Sequence, residues 1–354
     1  MMITFSHRIL TAVVGAAITV GVQALVPGTG PAAAVSSRTD GLTVAQDAGS
    51  RGTPDKVIRY WTADRMTTAL QGAAPAAHEQ QAPLRRLVHQ PAPGKRGKRS
   101  PTATAGLPPW LTGDTEGSGL RWTHGGSVAG AVGKVFFTLD DEDYVCSGAL
   151  VGGADPDVVV TAAHCVSGGP QRNGSPQWAT NWMFVPGFAD GVMPYGEYTA
   201  NKFFVEPSWT GPSGGSEQYD VAFASVTAAS LLGVTGVLPT PAGLPVQFTK
   251  SQYAPVPGHA YVFGYPADPP FSGLYANFCA GPVGASNGST RTACDMTAGD
   301  SGGPWLVGFS PRTGSGTMDA ISTYKLSSNM RVLYGAVLGP QARTIYQQAL
   351  AAGG

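Results

Sequence analysis

Short apolar runs separated by turn-forming residues dominate the chain from about residue 120 onwards. The runs are rich in Val, Phe, Tyr and Thr, and Gly, Pro, Asn and Asp interrupt them, which is the pattern of β-strands joined by tight connections. Amphipathic helical patterns do not alternate with these runs, so a parallel βαβ sheet is excluded. The pattern predicts an all-β region that ends in one helix over roughly 341–351 and has strands at 132–138, 145–151, 158–163, 181–185, 202–205, 221–226, 260–264, 303–308, 320–324 and 332–338.

The amino terminus carries a different apolar pattern. Arg8 precedes an apolar stretch over residues 9–26, and Pro31 and the alanines at 32–34 follow it. A basic start, an apolar stretch and a small-residue exit are typical of a secretory signal peptide, so we predict cleavage after Ala34. The alternative is an uncleaved membrane anchor, but no second apolar run of this length occurs. We therefore expect a mature protein that is secreted and free of the membrane.

A helix signal lies between the predicted signal peptide and the strands. Thr53 is a candidate N-cap, Pro54 fits the first helical position and Asp55 the first turn. Apolar residues then follow at approximately helical spacing, which predicts a single amphipathic helix. These apolar residues are Val57, Ile58, Trp61, Met66 and Leu70.

A basic cluster at residues 95–99 follows a stretch rich in Ala, Pro, Gln and Arg. Exposed basic clusters are cleavage sites for trypsin-like and dibasic proteases. We interpret residues 35–119 as a propeptide or linker that is partly helical or disordered. Its end is predicted between Arg99 and about Arg121.

Charge is low overall and unevenly distributed. Charged residues make up 12% of the chain, and 22 Lys and Arg balance 22 Asp and Glu, so no basic excess is present to bind nucleic acid. Residues 1–99 contain 12 basic and 5 acidic residues, whereas residues 100–354 contain 10 and 17. These opposite charges favour docking of the domain's own propeptide, which would assist folding or block a cleft. The alternative is a solvated linker.

Four cysteines in an exported chain predict two disulfides. Of the three possible pairings, Cys146 with Cys165 and Cys279 with Cys294 are the sequence-local choices. A zinc site is the competing interpretation, but no Cys-x-x-Cys pair is present and one histidine alone adjoins a cysteine. We expect no metal and no cofactor.

Three short segments combine into a chemical pattern. Residues 161–165 read Thr-Ala-Ala-His-Cys, residues 219–223 read Tyr-Asp-Val-Ala-Phe, and residues 299–304 read Gly-Asp-Ser-Gly-Gly-Pro. In the order His, Asp, Ser they resemble the trypsin and chymotrypsin superfamily of serine peptidases, and the resemblance covers roughly residues 120–350. The segments 146–151 and 264–266 and the pair Cys294-Asp295 are similar to the secreted bacterial branch that includes glutamyl endopeptidases.

This resemblance implies a fold and an activity for residues 120–354. The fold is two antiparallel six-stranded β-barrels with a C-terminal helix and a catalytic cleft between the barrels. The activity is that of a secreted, monomeric serine endopeptidase, which hydrolyses protein or peptide substrates through an acyl-enzyme intermediate and needs no cofactor.

Each residue of the pattern has a chemical role. A serine hydroxyl is a poor nucleophile at neutral pH, so Ser301 needs a base, and His164 can accept and return its proton. Asp220 then holds the imidazole in the required tautomer. The backbone N–H groups of Gly299 and Ser301 are expected to stabilise the oxyanion.

The chain departs from the family at the position of activation. In trypsin-like enzymes the aspartate before the nucleophile, here Asp300, pairs with a newly freed amino terminus that usually begins Ile-Val-Gly-Gly. That sequence is absent, and the comparable region reads Leu120-Arg121-Trp122. Either cleavage at Arg121 frees Trp122, or Asp300 has another partner.

Substrate preference stays open at this stage. Asp295 lies six residues before Ser301, where trypsin-like enzymes keep the carboxylate that binds Arg or Lys side chains. A structural carboxylate satisfied by backbone amides and a glutamyl preference are the alternatives. We assign Asp295 and Ser322 as candidate substrate-binding residues.

Other interpretations are weaker. An aspartate before an apolar strand can also be a cap, so Asp190 and Glu217 are alternatives to Asp220. Residues 299–303 fit the Gly-x-Ser-x-Gly elbow of α/β-hydrolases, which need a histidine after the serine. All histidines precede Ser301, and a His-Glu-x-x-His zinc motif is absent. The remaining alternative from another class is a catalytically inactive trypsin-like fold that acts as a binding module.

Overall fold

The computed structural model describes residues 44–48, 53–71, 117–153, 157–171, 174–212, 215–229, 239–251 and 258–353. The predicted signal peptide at 1–34 and the basic cluster at 95–99 lie outside these ranges. None of the helices within the ranges is long and apolar enough to cross a membrane.

The described chain consists mainly of strands. In chain order the elements are β1 Val44–Asp47, α1 Pro54–Tyr60, α2 Ala63–Ala69, β2 Leu120–Arg121, α3 Ser127–Ala131, β3 Val132–Leu139, β4 Glu142–Val151, β5 Val158–Thr161, β6 Ser167–Pro170, β7 Pro176–Trp178, β8 Thr180–Pro186, β9 Glu197–Val205, β10 Ala222–Ala229, β11 Gly258–Gly264, β12 Asn277–Ser286, β13 Ser289–Ala293, β14 Pro304–Ser310, β15 Ser315–Leu326, β16 Asn329–Val337 and α4 Pro340–Gly353.

Two closed antiparallel barrels account for most strands. The first has the order β9-β10-β5-β4-β3-β8 and closes through β8 and β9. The second has the order β11-β14-β15-β16-β13-β12 and closes through β11 and β12. Each carries one additional strand, β1 on β9 and β2 on β12. The six-stranded double barrel predicted from the sequence is therefore confirmed.

The strands of the second barrel include two that the sequence pattern did not predict. β12 contains two glycines and a proline, and β13 is mostly polar, with the sequence Ser-Thr-Arg-Thr-Ala. Neither has the dense apolar run that marked the other strands. Their pairing comes from the closure of the barrel, in which the first seven residues of β12 pair with the full length of β11.

The predicted C-terminal helix is confirmed as α4. Ala342, Ile345 and Ala349 are its buried residues, and their spacing of three and four places them on one face. Tyr346 packs its ring 5.3 Å from that of Phe223 on β10. The helix is therefore held against the first barrel.

The single helix predicted after Thr53 is wrong, because the segment forms two helices. Pro54 begins α1 as predicted, but Trp61 leaves the helical conformation at ψ 74° and α1 ends at Tyr60. Thr62 then caps α2, since its side chain accepts a hydrogen bond from the backbone N–H of Arg65 at 3.3 Å. The break lets the Trp61 indole N–H donate to the carbonyl of Asn181 on β8.

Candidate active site

His164 lies in a short 3-10 turn that follows β5. The turn spans Ala163–Cys165, and the Cys146–Cys165 disulfide ties it to β4 with the two Cα atoms 6.2 Å apart. The His164 side chain is almost fully buried. Both sequence-local disulfides are formed, the second joining Cys279 and Cys294.

Asp220 fixes the His164 ring. Its Oδ2 lies 2.7 Å from His164 Nδ1, and its Oδ1 accepts the backbone N–H of His164 at 2.9 Å. Because an ionised carboxylate can only accept, Nδ1 of the ring carries the proton of this hydrogen bond. The alternative carboxylate Asp190 instead accepts the hydroxyl of Tyr275 at 3.1 Å. Asp220 is therefore the described carboxylate that orients the imidazole.

Two glycines hold the Ser301 loop against the first barrel. Gly299 and Gly302 have φ angles of 98° and 82°, a backbone conformation that residues with a side chain rarely adopt. A Cβ on Gly302 would collide with Thr161 Oγ1 and the Ser147 carbonyl. The Ser301 carbonyl accepts the backbone N–H of Ser147 at 2.8 Å. These contacts with β4 and β5 bring Ser301 to the end of the barrel that carries His164.

The hydrogen bond between His164 and Ser301 is not formed in this structure. His164 Nε2 is buried and makes no hydrogen bond to any described residue, and Ser301 is 2% exposed. Bonds between a catalytic base and its nucleophile are often long or poorly aligned before substrate binds. Asp220 thus orients the imidazole ring, but the ring does not bond Ser301 in this structure.

The backbone amides expected to stabilise an oxyanion are free of other bonds. Within the described ranges, the N–H groups of Gly299 and Ser301 donate no hydrogen bond. The Gly299 carbonyl accepts Ser147 Oγ at 2.8 Å, and the same hydroxyl accepts the N–H of Tyr265 at 2.8 Å. Ser147 therefore fixes the Gly299 loop, a role that sequence analysis missed because these contacts span 152 and 118 residues.

Asp300 is buried and incompletely bonded. Its Oδ2 accepts no hydrogen bond within the described residues. Burial raises the pKa of Asp300 to about 7, although electrostatic interactions with Lys325 and His164 and a hydrogen bond from Ser322 act in the opposite direction. In the uncleaved chain, Lys325 and Ser322 therefore offset only part of the penalty for burying the Asp300 carboxylate.

Trp122, the residue that cleavage at Arg121 would free, is built into the second barrel. Its N–H donates to the carbonyl of Ala276 at 2.9 Å, and its ring packs edge-on at 5.4 Å from those of Phe263 and Phe278. The preceding Arg121 stacks on the Tyr275 ring. Cleavage there would break an ordered part of the β2–β12 pairing.

Asp295 is held by the chain that leads into β2. Its Oδ1 accepts the N–H of Gly119 at 2.6 Å, and its own N–H donates to the carbonyl of Gly117 at 3.0 Å. Lys325 lies close enough for Asp295 to raise its pKa, although desolvation by burial lowers that pKa more strongly. This environment matches the structural interpretation of Asp295 as a carboxylate satisfied by a backbone amide.

Ser322 supports the Ser301 loop from β15. Its N–H donates to the Gly303 carbonyl at 2.8 Å, and its carbonyl accepts the N–H of Gly302 at 2.7 Å. Its hydroxyl is fully buried and accepts the indole N–H of Trp305 at 3.1 Å. These bonds anchor the loop through both the backbone and the side chain of Ser322.

Lys134 is a buried cation that the sequence analysis did not single out. It is completely buried in β3, its Nζ makes no hydrogen bond to the described residues, and it lies 5.5 and 5.9 Å from the ring centres of Tyr265 and Phe136. Burial lowers the pKa of Lys134 to about 7. A lysine inside the apolar run of 132–137 was the available sequence signal.

One cluster among the described residues has the spacing of a metal site. The candidate ligand atoms of Cys146, His164 and Cys165 lie within 4.8 Å of one another. The two sulfur atoms are joined in a disulfide, so neither can supply the thiolate that zinc requires.

Known proteins similar to this chain share its double barrel. A family model described as the trypsin-like peptidase domain matches residues 146–307. The crystal structure of the protease Anisep from Arthrobacter nicotinovorans is 32% identical, covers 66% of this chain and 99% of its own, and superposes with a TM-score of 0.55. The thermostable serine protease AL20 from an extremophilic microorganism is 28% identical. It covers 62% of this chain and 97% of its own, and it superposes with a TM-score of 0.52.

A more distant likeness concerns the fold alone. A Glu endopeptidase solved in complex with MPD is 16% identical, covers 68% of this chain and 98% of its own, and has a TM-score of 0.50. No curated protein matches the chain. Because its identity to Anisep extends over nearly the whole of that protease, the chain belongs to the trypsin-like serine peptidase superfamily.

Proposed function

We propose that the chain is the precursor of a secreted serine endopeptidase with His164, Asp220 and Ser301 as its catalytic triad. The observation that carries the proposal is the 2.7 Å contact between Asp220 Oδ2 and His164 Nδ1, in a member of a serine peptidase superfamily. In a serine peptidase triad, a buried aspartate bonded to Nδ1 holds the imidazole in the tautomer that the reaction needs. The arrangement leaves Nε2 as a base.

The reaction follows from this arrangement. His164 Nε2 accepts the Ser301 proton as Oγ attacks the substrate carbonyl, and the N–H groups of Gly299 and Ser301 stabilise the oxyanion. The imidazolium, stabilised by Asp220, returns the proton to the leaving amine as the peptide C–N bond breaks. Water then attacks the ester on Ser301 with His164 again as base, which releases the second product.

The substrate is a protein or a peptide, and a dominant preference for Arg or Lys is not part of the proposal. The carboxylate that would bind a basic side chain, Asp295, already accepts the Gly119 N–H and lies in the field of Lys325. A carboxylate compensated in this way attracts a cationic side chain weakly.

The precursor state is supported by the burial of the site. His164 and Ser301 are 3% and 2% exposed in the full-length chain, and a nucleophile must reach a substrate carbonyl. We propose that cutting the chain between residues 99 and 117 opens the site, and that signal cleavage after Ala34 precedes it. Two disulfides fit export to an oxidising compartment.

The alternative is an inactive binding module. The observation that favours it is that His164 Nε2 has no hydrogen-bond partner among the described residues. Digestion of a peptide library by the processed, secreted protein separates the two, with amino-terminal sequencing of the same sample to define the mature form. An endopeptidase cleaves internal bonds, and its Ser301→Ala and His164→Ala variants lose the activity by several orders of magnitude. A properly folded mature protein that cleaves no peptide would support the binding module.

A further inference from the structure

The segment before the peptidase domain adds a strand to the first barrel. β1 pairs antiparallel with the end of β9, from Val44 opposite Val205 to Asp47 opposite Lys202. β8 bonds β9 elsewhere, through Met183 and Phe184. β1 therefore covers a strand edge that would otherwise present unpaired backbone groups.

Trp61 anchors the same segment in the barrel wall. Its side chain is 4% exposed, and its ring lies 5.4 Å from that of Phe136 on β3. Its indole N–H donates to the Asn181 carbonyl at 2.5 Å. Buried tryptophans with a satisfied N–H are the residues that most often dominate the affinity of a protein interface.

A third contact joins α1 and α2 to the β3–β4 hairpin. Asp143 Oδ1 accepts the Tyr60 hydroxyl at 2.7 Å, and Asp143 Oδ2 accepts Arg65 Nη1 at 3.0 Å. The Arg65 guanidinium also lies 4.1 Å from the centre of the Tyr60 ring. One carboxylate of the acidic domain thus binds two side chains of the basic leader.

The far end of the segment reaches the neighbourhood of the oxyanion loop. A Cβ on Gly273 would lie 2.7 Å from Leu70 Cδ2 and 3.0 Å from Ala267 Cβ, and a Cβ on Gly299 would lie 3.0 Å from that same Ala267 Cβ. Leu70 therefore lies against Gly273, and both Gly273 and Gly299 closely approach Ala267.

We propose that the β9 edge, the Asn181 carbonyl and the Asp143 carboxylate form a binding site for residues 44–71 as a separate peptide. The segment stays bound as a noncovalent subunit after the chain is cut between residues 72 and 119. The residues of the segment that make these contacts all lie upstream of such a cut, so cleavage removes none of the contacts. The inference goes beyond the proposed function, because it holds whether or not the domain hydrolyses peptides.

The test uses the full chain carrying Ser301→Ala, which prevents self-digestion, with residues 95–99 replaced by the site of a sequence-specific protease. After cutting, size-exclusion chromatography at micromolar concentration is expected to show both fragments eluting together. A fluorescent synthetic peptide of residues 44–71 is expected to exchange into the cut complex and give its dissociation constant.

Peptide variants identify the contacts. Trp61→Ala and Arg65→Ala are expected to weaken binding, by at least about tenfold for Trp61→Ala. Arg59→Ala is the matched control, since Arg59 loses the same charge from an exposed position on α1 that makes no ion pair within the described ranges. Because the variants are made in the peptide, the folding of the domain is unaffected.

Two results would overturn the proposal. The first is that the two fragments of the cut parent chain separate at micromolar concentration. The second is that the Trp61→Ala peptide binds as tightly as the parent peptide. Neither result depends on catalysis, so failure of this proposal is distinguishable from failure of the proposed peptidase activity.

Discussion

Ser147 Oγ, on a strand of the first barrel, donates a 2.8 Å hydrogen bond to the carbonyl of Gly299 in the loop that carries Ser301. The same hydroxyl accepts the Tyr265 N–H, so one side chain joins three segments that are distant in sequence. This bond fixes the plane of the peptide that joins Gly299 to Asp300, which lies between the peptide planes that carry the N–H groups of Gly299 and Ser301. Ser147 is therefore a positioning residue for the proposed oxyanion site.

Ser147→Ala is predicted to lower kcat of the mature enzyme about tenfold or more with a smaller change in KM. The Gly299 carbonyl and the Tyr265 N–H lose a buried partner, which costs about 1–3 kcal/mol in the free energy of unfolding. Steady-state kinetics and thermal unfolding measure the two effects. Ser225→Ala is the matched control, because the Ser225 hydroxyl is buried without a hydrogen bond. An unchanged kcat in Ser147→Ala would contradict the positioning role.

Asp220→Asn is predicted to reduce kcat by about four orders of magnitude. Asp220 accepts from both the backbone N–H and Nδ1 of His164, whereas an amide must turn its NH2 towards one of them. Turned towards Nδ1, it moves the ring proton to Nε2 and removes the base. Asp190→Asn, a change at the other aspartate considered for this role, is expected to leave kcat unchanged. Equal activities of the two variants would exclude Asp220 from the triad.

Lys134→Met is predicted to stabilise the protein, and to do so more at low pH. The folded pKa of Lys134, about 7, lies below its ordinary value of 10.5, so the folded state binds fewer protons between these values. The stability of the parent therefore rises with pH from about 7 to 10.5, and below pH 7 the full penalty of the buried charge is present. We expect a gain of about 1–3 kcal/mol at pH 6 that shrinks towards pH 10.

Urea unfolding at the two pH values, in the Ser301→Ala chain, measures this gain. Lys202→Met is the control, since Lys202 is partly exposed and contacts Asp47 at 3.5 Å. A Lys134→Met gain that is equal at pH 6 and pH 10 would show that Lys134 is not a buried, unpaired amine.

Asp300→Asn is predicted to stabilise the uncleaved chain more at high pH than at low pH, which is the opposite of Lys134→Met. Burial raises the pKa of Asp300 from 3.8 to about 7, so the folded state holds the proton more tightly and parent stability falls as pH rises from about 4 to 7. The variant is therefore expected to be about 1–4 kcal/mol more stable than the parent at pH 8 and nearly equal to it at pH 4.

Urea unfolding of uncleaved Ser301→Ala chains checks the Asp300 prediction, with Asp141→Asn at the exposed β3–β4 turn as the control. If Asp300→Asn destabilised the chain at pH 8, its carboxylate would be well paired before cleavage. In that case Lys325 would be a full substitute for an amino terminus.

The sequence alone predicted the features that short stretches of the chain determine. Dense apolar runs predicted most strands of both barrels, and closely spaced cysteines predicted both disulfides. The segments around His164 and Ser301 indicated the family before any geometry was known. These signals are local because each depends on a few consecutive residues.

The remaining features depend on contacts between distant parts of the chain. β13 is polar and becomes a strand because β12 and β16 pair with it. The break between α1 and α2 accompanies the bond from Trp61 to the Asn181 carbonyl, 120 residues away, and a helical pattern does not encode that contact. The interaction of Asp295 with Gly119 spans 176 residues, so the motif alone could not separate a substrate-binding carboxylate from a structural one.

Labelling with a fluorophosphonate, followed by peptide mapping in a mass spectrometer, tests the central claim most directly. A triad serine activated by His164 reacts with this reagent, and an inactive binding module does not. We predict one adduct on Ser301 of the processed protein, a much slower reaction of the full-length chain, and no adduct in the His164→Ala variant. A folded, processed protein that stays unlabelled, or that is labelled equally in His164→Ala, would contradict the account.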